Sequence, residues 1–248
     1  MPVIMYVLVL LIAFLYASVG FGGATGYLMA MSFFDIAPQV MASTALTLNI
    51  LVASISFSSF YRAGHLRREL LWPFLLTSIP AAFLGGYFRI PDQIYAILLY
   101  AVLTFVGLRL AFEKHQKSDD AQSLQSVPPY VAMAIGLGAG LLSGVVGIGG
   151  GIFLSPIILL ARWGTSKQAA AVAAAFIVLN SISGLMGRVI GGTFVLDSFG
   201  LSLLPVGLVG ALLGSYWGAL RLSIPGLRRV LGVVMIVVVV NFWWSLFR

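Results

Sequence analysis

The chain has 248 residues, 60% hydrophobic and 8% charged, with a mean hydropathy of +1.07 and a formal net charge of +7. Soluble domains carry about 25% charged residues, so a water-soluble globular protein is excluded. The 14 basic residues sit at the ends of apolar runs, where they act as topology signals rather than a nucleic-acid surface, and the absence of cysteine rules out disulfides and thiolate metal sites.

The first apolar run, 3–34, holds 32 residues without a charge. As one helix it would be about 48 Å long at 1.5 Å per residue, against a bilayer core of about 30 Å. Its centre reads Gly20-Phe21-Gly22-Gly23-Ala24-Thr25-Gly26. Glycine costs about 1 kcal/mol against alanine inside a helix, so the cluster predicts a broken helix. At membrane depth, broken backbone survives only against protein or a wet cavity. The first Lys or Arg is Arg62, so the run lacks the basic start of a cleavable signal and is expected to be retained.

The next segments are 36–61, 70–88 and 93–112, separated by Asp35 and Pro38, the charged stretch 62–69, and Arg89-Ile90-Pro91-Asp92. Segment 36–61 carries Ser43, Thr44, Thr47 and Asn49, with Thr44 and Thr47 three apart and hence on one helix face. A polar linker at 113–128, expected to be mobile, leads to a second overlong run, 129–161, of 33 uncharged residues. Its centre is Gly147-Ile148-Gly149-Gly150-Gly151. Segments 168–187, 198–220 and 226–247 follow, the first carrying Asn180, Ser181 and Ser183 and ending at Arg188. The terminal Phe242-Trp243-Trp244 reads as an interfacial anchor, and Met29, Met31 and Met41 as packing.

The two glycine clusters recur at an offset of 127, and Ala82-Phe83-Leu84-Gly85-Gly86-Tyr87-Phe88 matches Ala211-Leu212-Leu213-Gly214-Ser215-Tyr216-Trp217 at 129. This is a duplication, with 1–115 and 129–248 as repeats and 116–128 as linker. If all eight segments cross once, Lys and Arg divide 8 against 6 between the two sides. If both broken segments return to their side of entry, the division becomes 11 against 3. The charge bias therefore favours inverted repeats with both termini outside and the linker inside. The fold expected is an all-α polytopic membrane protein of two homologous four-segment halves, each beginning with a glycine-broken helix.

No enzyme site is visible: His65 and His115 both lie in charged connections, and neither glycine cluster has nucleotide-loop spacing. No cofactor and no metal is expected. The seven acids also lie in connections or at segment ends, so a carboxylate proton relay and cation ligands are missing from the apolar segments. An anion fits better, because backbone N–H groups at half-helix starts supply positive potential without a side-chain charge. The competing reading of the glycines is tight helix packing, and that of the polar residues is interhelical hydrogen bonding. Two duplicated clusters centred in overlong segments favour a substrate site. The candidate site is Gly20, Gly22, Gly23, Thr44, Thr47, Asn49, Gly147, Gly149, Gly150, Asn180, Ser181 and Ser183. Arg188 is either an anion-attracting residue at the outer mouth or a side chain snorkelling to the interface.

These motifs, Ser18-Val19-Gly20-Phe21-Gly22-Gly23 and Ser143-Gly144-Val145-Val146-Gly147-Ile148-Gly149-Gly150-Gly151, resemble those of the TSUP family, the sulfite exporter (TauE/SafE-like) permeases. The likeness covers nearly the whole chain, including the Leu-Gly-(Gly/Ser)-Tyr-aromatic stretches. Ala24 stands in the first motif where the second has Gly151, so the halves need not contribute equally. The resemblance implies a secondary permease in a bacterial cytoplasmic membrane, moving a small sulfur-containing oxyanion such as sulfite, thiosulfate or an organosulfonate, often as export. A passive anion channel and a non-transporting scaffold remain alternatives. The partners expected are the anion and the lipid bilayer, with self-association left open and nucleic acid excluded.

Overall fold

The computed structural model describes residues 3–18, 20–34, 36–112, 124–220, 236 and 240, with the side chains of 110–112 and 217–220 left aside. The last expected segment, 226–247, its aromatic end, most of the linker and Asp35 lie outside the described residues. Nine α-helices and no strand occur among the described residues: α1 (Val3–Ala17), α2 (Ala24–Ser32), α3 (Pro38–Arg62), α4 (Arg68–Tyr87), α5 (Asp92–Phe112), α6 (Pro129–Val146), α7 (Gly151–Leu160), α8 (Ser166–Ile190) and α9 (Ser198–Leu220). Six of them, α3, α4, α5, α6, α8 and α9, are long and apolar enough to cross a membrane.

The helix starts follow from local chemistry. Pro38 and Pro129 occupy the first turn of α3 and α6, where a missing N–H costs nothing. Thr165 and Gln168 form a reciprocal capping box on α8. The Asp197 carboxylate accepts from the Gly200 amide at the start of α9, 2.7 Å. The described acids within helices, Glu69 and Asp92, lie in the first turns of α4 and α5, where the helix dipole favours them.

Both overlong runs are interrupted at their glycine clusters. α1 and α2 have 15 and 9 residues, each too short to span alone. The chain turns back between them: the Tyr16 hydroxyl meets Thr25 Oγ1 at 3.0 Å, and a methyl placed on Gly26 would lie 2.6 Å from Ile12. In the second run the chain returns likewise, so that a methyl on Gly150 would lie 2.9 Å from the Ala139 carbonyl oxygen.

Packing repeats along with the sequence. α4 packs on α6 and α8, and α9 packs on α1 and α3 in the same way. Gly136, Gly140 and Gly144 of α6 face the Phe74, Ser78 and Ala82 carbonyls of α4, so these two helices run parallel with their backbones touching. Gly210 and Gly214 of α9 face Leu10 and Phe14 of α1, again parallel. α3 and α8 meet each other in the middle and run antiparallel. Gly184 lies by Leu46 near the start of α3, while Gly20 touches both Phe60, near the end of α3, and Ala170, near the start of α8. Two buried clusters result, one mainly of α1, α2, α3 and α5 residues and one of α4, α6, α7 and α8 residues. Ile148, Ile152 and Ile177 of the second half join the first cluster.

Candidate functional site

The backbone at each break needs a left-handed residue. Gly23 and Gly150, the N-caps of α2 and α7, have φ of +90° and +74°, a region that costs a residue with a side chain about 1–2 kcal/mol. Glycine there also leaves the first amides of α2 and α7 uncovered by a Cβ. Gly147 closes α6 in the same conformation, its amide bonded to the Ser143 carbonyl at 2.9 Å.

The breaks converge on one place. A methyl on Gly22 would strike Asn49 Oδ1 and lie 3.1 Å from Ile177. A methyl on Gly149 would lie 2.6 Å from Asn49 Nδ2, 2.9 Å from Ile177 and 3.1 Å from Ser181 Oγ. Asn49 and Ile177 are each the twelfth residue of a 25-residue helix, α3 and α8. Such a helix is about 37 Å long, so both breaks meet about halfway along the longest helices. Asn49 is fully buried and its Oδ1 accepts from the Ala24 amide, the first of α2, at 3.1 Å. Its Nδ2 has no hydrogen-bond partner among the described residues. A buried donor left unpaired costs about 1–3 kcal/mol, which marks this amide nitrogen as a group waiting for an acceptor.

The other polar residues singled out from the sequence divide. Ser181 is fully buried, unpartnered and beside Gly149. Asn180 donates to the Phe176 carbonyl at 2.8 Å, leaving its Oδ1 unpartnered. Thr44 lies against Gly200 of α9, Thr47 bonds to the Ser43 carbonyl within its own helix, and Ser183 bonds to the Ile79 carbonyl of α4. Thr44 Oγ1 is buried and has no hydrogen-bond partner among the described residues. Gly20 touches Phe60 and Ala170, one step outside the meeting point.

Arg188 is turned inward, 6% exposed. Its Nη2 donates to the Gly144 and Val145 carbonyls at 2.9 and 2.7 Å, and the Tyr95 hydroxyl donates to Val146 at 3.1 Å. Three carbonyls at the end of α6 are thus held by side chains from α8 and α5, with a cation at the negative end of the helix dipole. Sequence reasoning missed Ile177, Tyr27 and Ser143. The Tyr27 hydroxyl lies against Gly23 without a partner, and Ser143 Oγ is likewise buried and unpartnered. Ser143 stands four residues before Gly147, a signal readable from the sequence. Ile177 carries none, because an isoleucine in an apolar helix looks like any other.

The family model described as sulfite exporter TauE/SafE matches residues 5–242. A Sinorhizobium fredii protein named "Probable membrane transporter protein y4hK" is 33% identical over 237 residues, 94% of this chain and 94% of that one. A Bacillus subtilis protein named "Probable membrane transporter protein YunE" is 27% identical over 240 residues, covering 86% of this chain and 87% of that one. No solved structure matches. The chain belongs to the TauE/SafE family of membrane transporters.

Proposed function

We propose that this TauE/SafE-family transporter carries a small sulfur-containing oxyanion, such as sulfite, thiosulfate or an organosulfonate, out of a bacterial cell across the cytoplasmic membrane. The anion binds where the two helix breaks meet, and access to it alternates as the two halves rock about that point. One observation carries this reading: two glycine breaks from different halves abut the same buried Asn49 carboxamide halfway along α3, the first at its oxygen and the second at its unpartnered nitrogen. A sulfonate-type group needs donors, low steric cover and positive potential without a competing cation, and a pair of half-helix starts with an amide donor supplies all three.

The antiparallel run of α3 and α8 supports inverted repeats. These helices occupy equivalent positions in the two halves, so a two-fold relation between them has its axis across the helices, in the plane of the membrane. The lysine and arginine bias leads to the same arrangement. The acids described within the helices stay in first turns, away from the meeting point, so no carboxylate relay is called for. Export of a monovalent anion is helped by the inside-negative potential by about 2.3 kcal/mol per 100 mV. The test is flux of radiolabelled sulfite and ethanesulfonate in proteoliposomes. Saturable flux that each anion inhibits for the other is the expected result. Unsaturable conductance would mean a channel, and no flux of either anion a scaffold.

A further inference from the structure

We propose that the two breaks do not share the anion equally: Asn49 closes the start of α2 and turns the binding site towards the start of α7. The inference rests on the transport reading above and names which half of that site holds the charge.

The argument starts from a forced orientation. A backbone N–H only donates, so the Ala24 amide must face the oxygen of the Asn49 carboxamide, as it does at 3.1 Å. The nitrogen is then obliged to point the other way, and it lies against Gly149 of the second break. Asn49 therefore takes up a donor of α2 and offers a donor beside α7. The residue equivalent to Asn49 is Ile177, 128 positions later, which sits against Gly151 at the start of α7 as Asn49 sits against Ala24. An isoleucine cannot accept an N–H bond, so the residue at this position cannot take up the Gly151 amide as Asn49 takes up that of Ala24.

A second difference runs the same way. Ser181, buried and unpartnered beside Gly149, has Ala53 as its counterpart 128 positions earlier. The second break thus gathers Asn49 Nδ2, Ser181 Oγ and the uncapped amides of α7. The first break presents an α2 whose first amide is taken up and, as an unpartnered side-chain donor among the described residues, Tyr27 on α2 itself, against Gly23. A duplicated fold has become a one-sided site through two substitutions at equivalent positions.

Three variants in proteoliposomes, with sulfite and ethanesulfonate as probes, test this. Asn49→Asp keeps an oxygen for Ala24 but replaces the donor by a negative charge. It is expected to melt within a few degrees of the wild type and to lose apparent affinity by about 100-fold or more. Ile177→Asn places a carboxamide against Gly151 and takes up the α7 amides, so affinity falls by about 10-fold while stability holds or rises. Tyr27→Phe is expected to leave affinity within about 2-fold, since the lost hydroxyl belongs to the other break. Wild-type flux that survives in Asn49→Asp, tighter binding in Ile177→Asn, or a large loss in Tyr27→Phe each overturns the one-sided site while leaving a transporter. Should Asn49→Asp fail to fold, Ile177→Asn and Tyr27→Phe decide alone. Absence of flux in the wild type overturns the transport reading, and this inference with it.

Discussion

At the first break the Ala24 amide donates to Asn49, and the Ala17 carbonyl at the end of α1 accepts from Ser56 at 3.3 Å. At the second, Ile177 stands at the start of α7 where Asn49 stands at that of α2 and offers no acceptor, while Arg188 and Tyr95 hold three carbonyls at the end of α6. The backbones share left-handed glycines at Gly20 and Gly23, answering Gly147 and Gly150, and differ at Gly149, which is left-handed at φ +72° where Gly22 is not. The side chains differ further: Asn49 faces Ile177, and the counterpart of Arg188 is Phe60, which packs on Gly20. The two breaks thus share a backbone pattern but differ in their side chains: the first has its leading α2 amide taken up, and the second has an anchored helix end. A break fixed at its carbonyl side and open at its amide side is suited to holding an anion.

The largest effect expected comes from filling the meeting point. Gly149→Leu forces a left-handed leucine against Asn49, Ile177 and Ser181, and Gly22→Leu pushes against Asn49 from the other side. Each is expected to bring anion flux to background while the protein still elutes from a sizing column as the wild type does. Normal flux in both would remove the site.

Next is the anchor of the second break. Arg188→Met removes two charge-assisted hydrogen bonds and leaves the Gly144 and Val145 carbonyls without their donor, an expected loss of about 3 kcal/mol in unfolding free energy in detergent. Phe60→Leu, at the matching position of the first half, should cost less than about 1.5 kcal/mol. Equal costs would contradict the difference drawn between the breaks.

A smaller effect tests whether the surrounding packing is symmetric where the site is not. Gly85 faces the Leu141 carbonyl of α6, and its counterpart Gly214 faces the Phe14 carbonyl of α1. Gly85→Ala and Gly214→Ala should each lower stability by about 1–3 kcal/mol, with similar values. Gly138, which has nothing within 4 Å, is the control: Gly138→Ala should be neutral or stabilise by up to about 1 kcal/mol. The smallest effect is expected from Ser56→Ala, which removes a hydroxyl shared between the Ala17 and Val52 carbonyls at 3.3 and 3.2 Å and about 1 kcal/mol or less, read by the same unfolding measurement.

The breaks were legible because a run longer than the bilayer is thick must bend somewhere, and a glycine cluster at its centre is the weakest point of the helix. Asn49 was legible as an amide where nothing polar is required for spanning. Its partner residue was not. Ile177 becomes meaningful only when the register of α3 against α8 is known, and register between antiparallel helices is a tertiary property. Thr47 and Ser183 show the converse: hydroxyls in apolar helices attract attention, yet each is satisfied by a carbonyl, one in its own helix and one in α4. The inward turn of Arg188 depends on where α6 ends, which a charge at a segment end does not reveal. The exchange of α4 and α9 between the sequence halves was equally hidden. Its cause is the glycine faces of α6 and α9, which fit close backbones wherever the chain brings them.

The central claim, that the meeting point of the two breaks binds the anion, can be read at a single thiol, because the chain has no cysteine of its own. Ser181→Cys places one beside Gly149, and Ser58→Cys places a control on the exposed face of α3. Rates of modification by N-ethylmaleimide are compared with and without ethanesulfonate, an anion that does not react with the reagent. Protection at position 181 in a saturable, dose-dependent manner, with an unchanged rate at position 58, is the predicted result. An equal rate at position 181 with and without saturating anion, in protein that still transports it, would contradict the account.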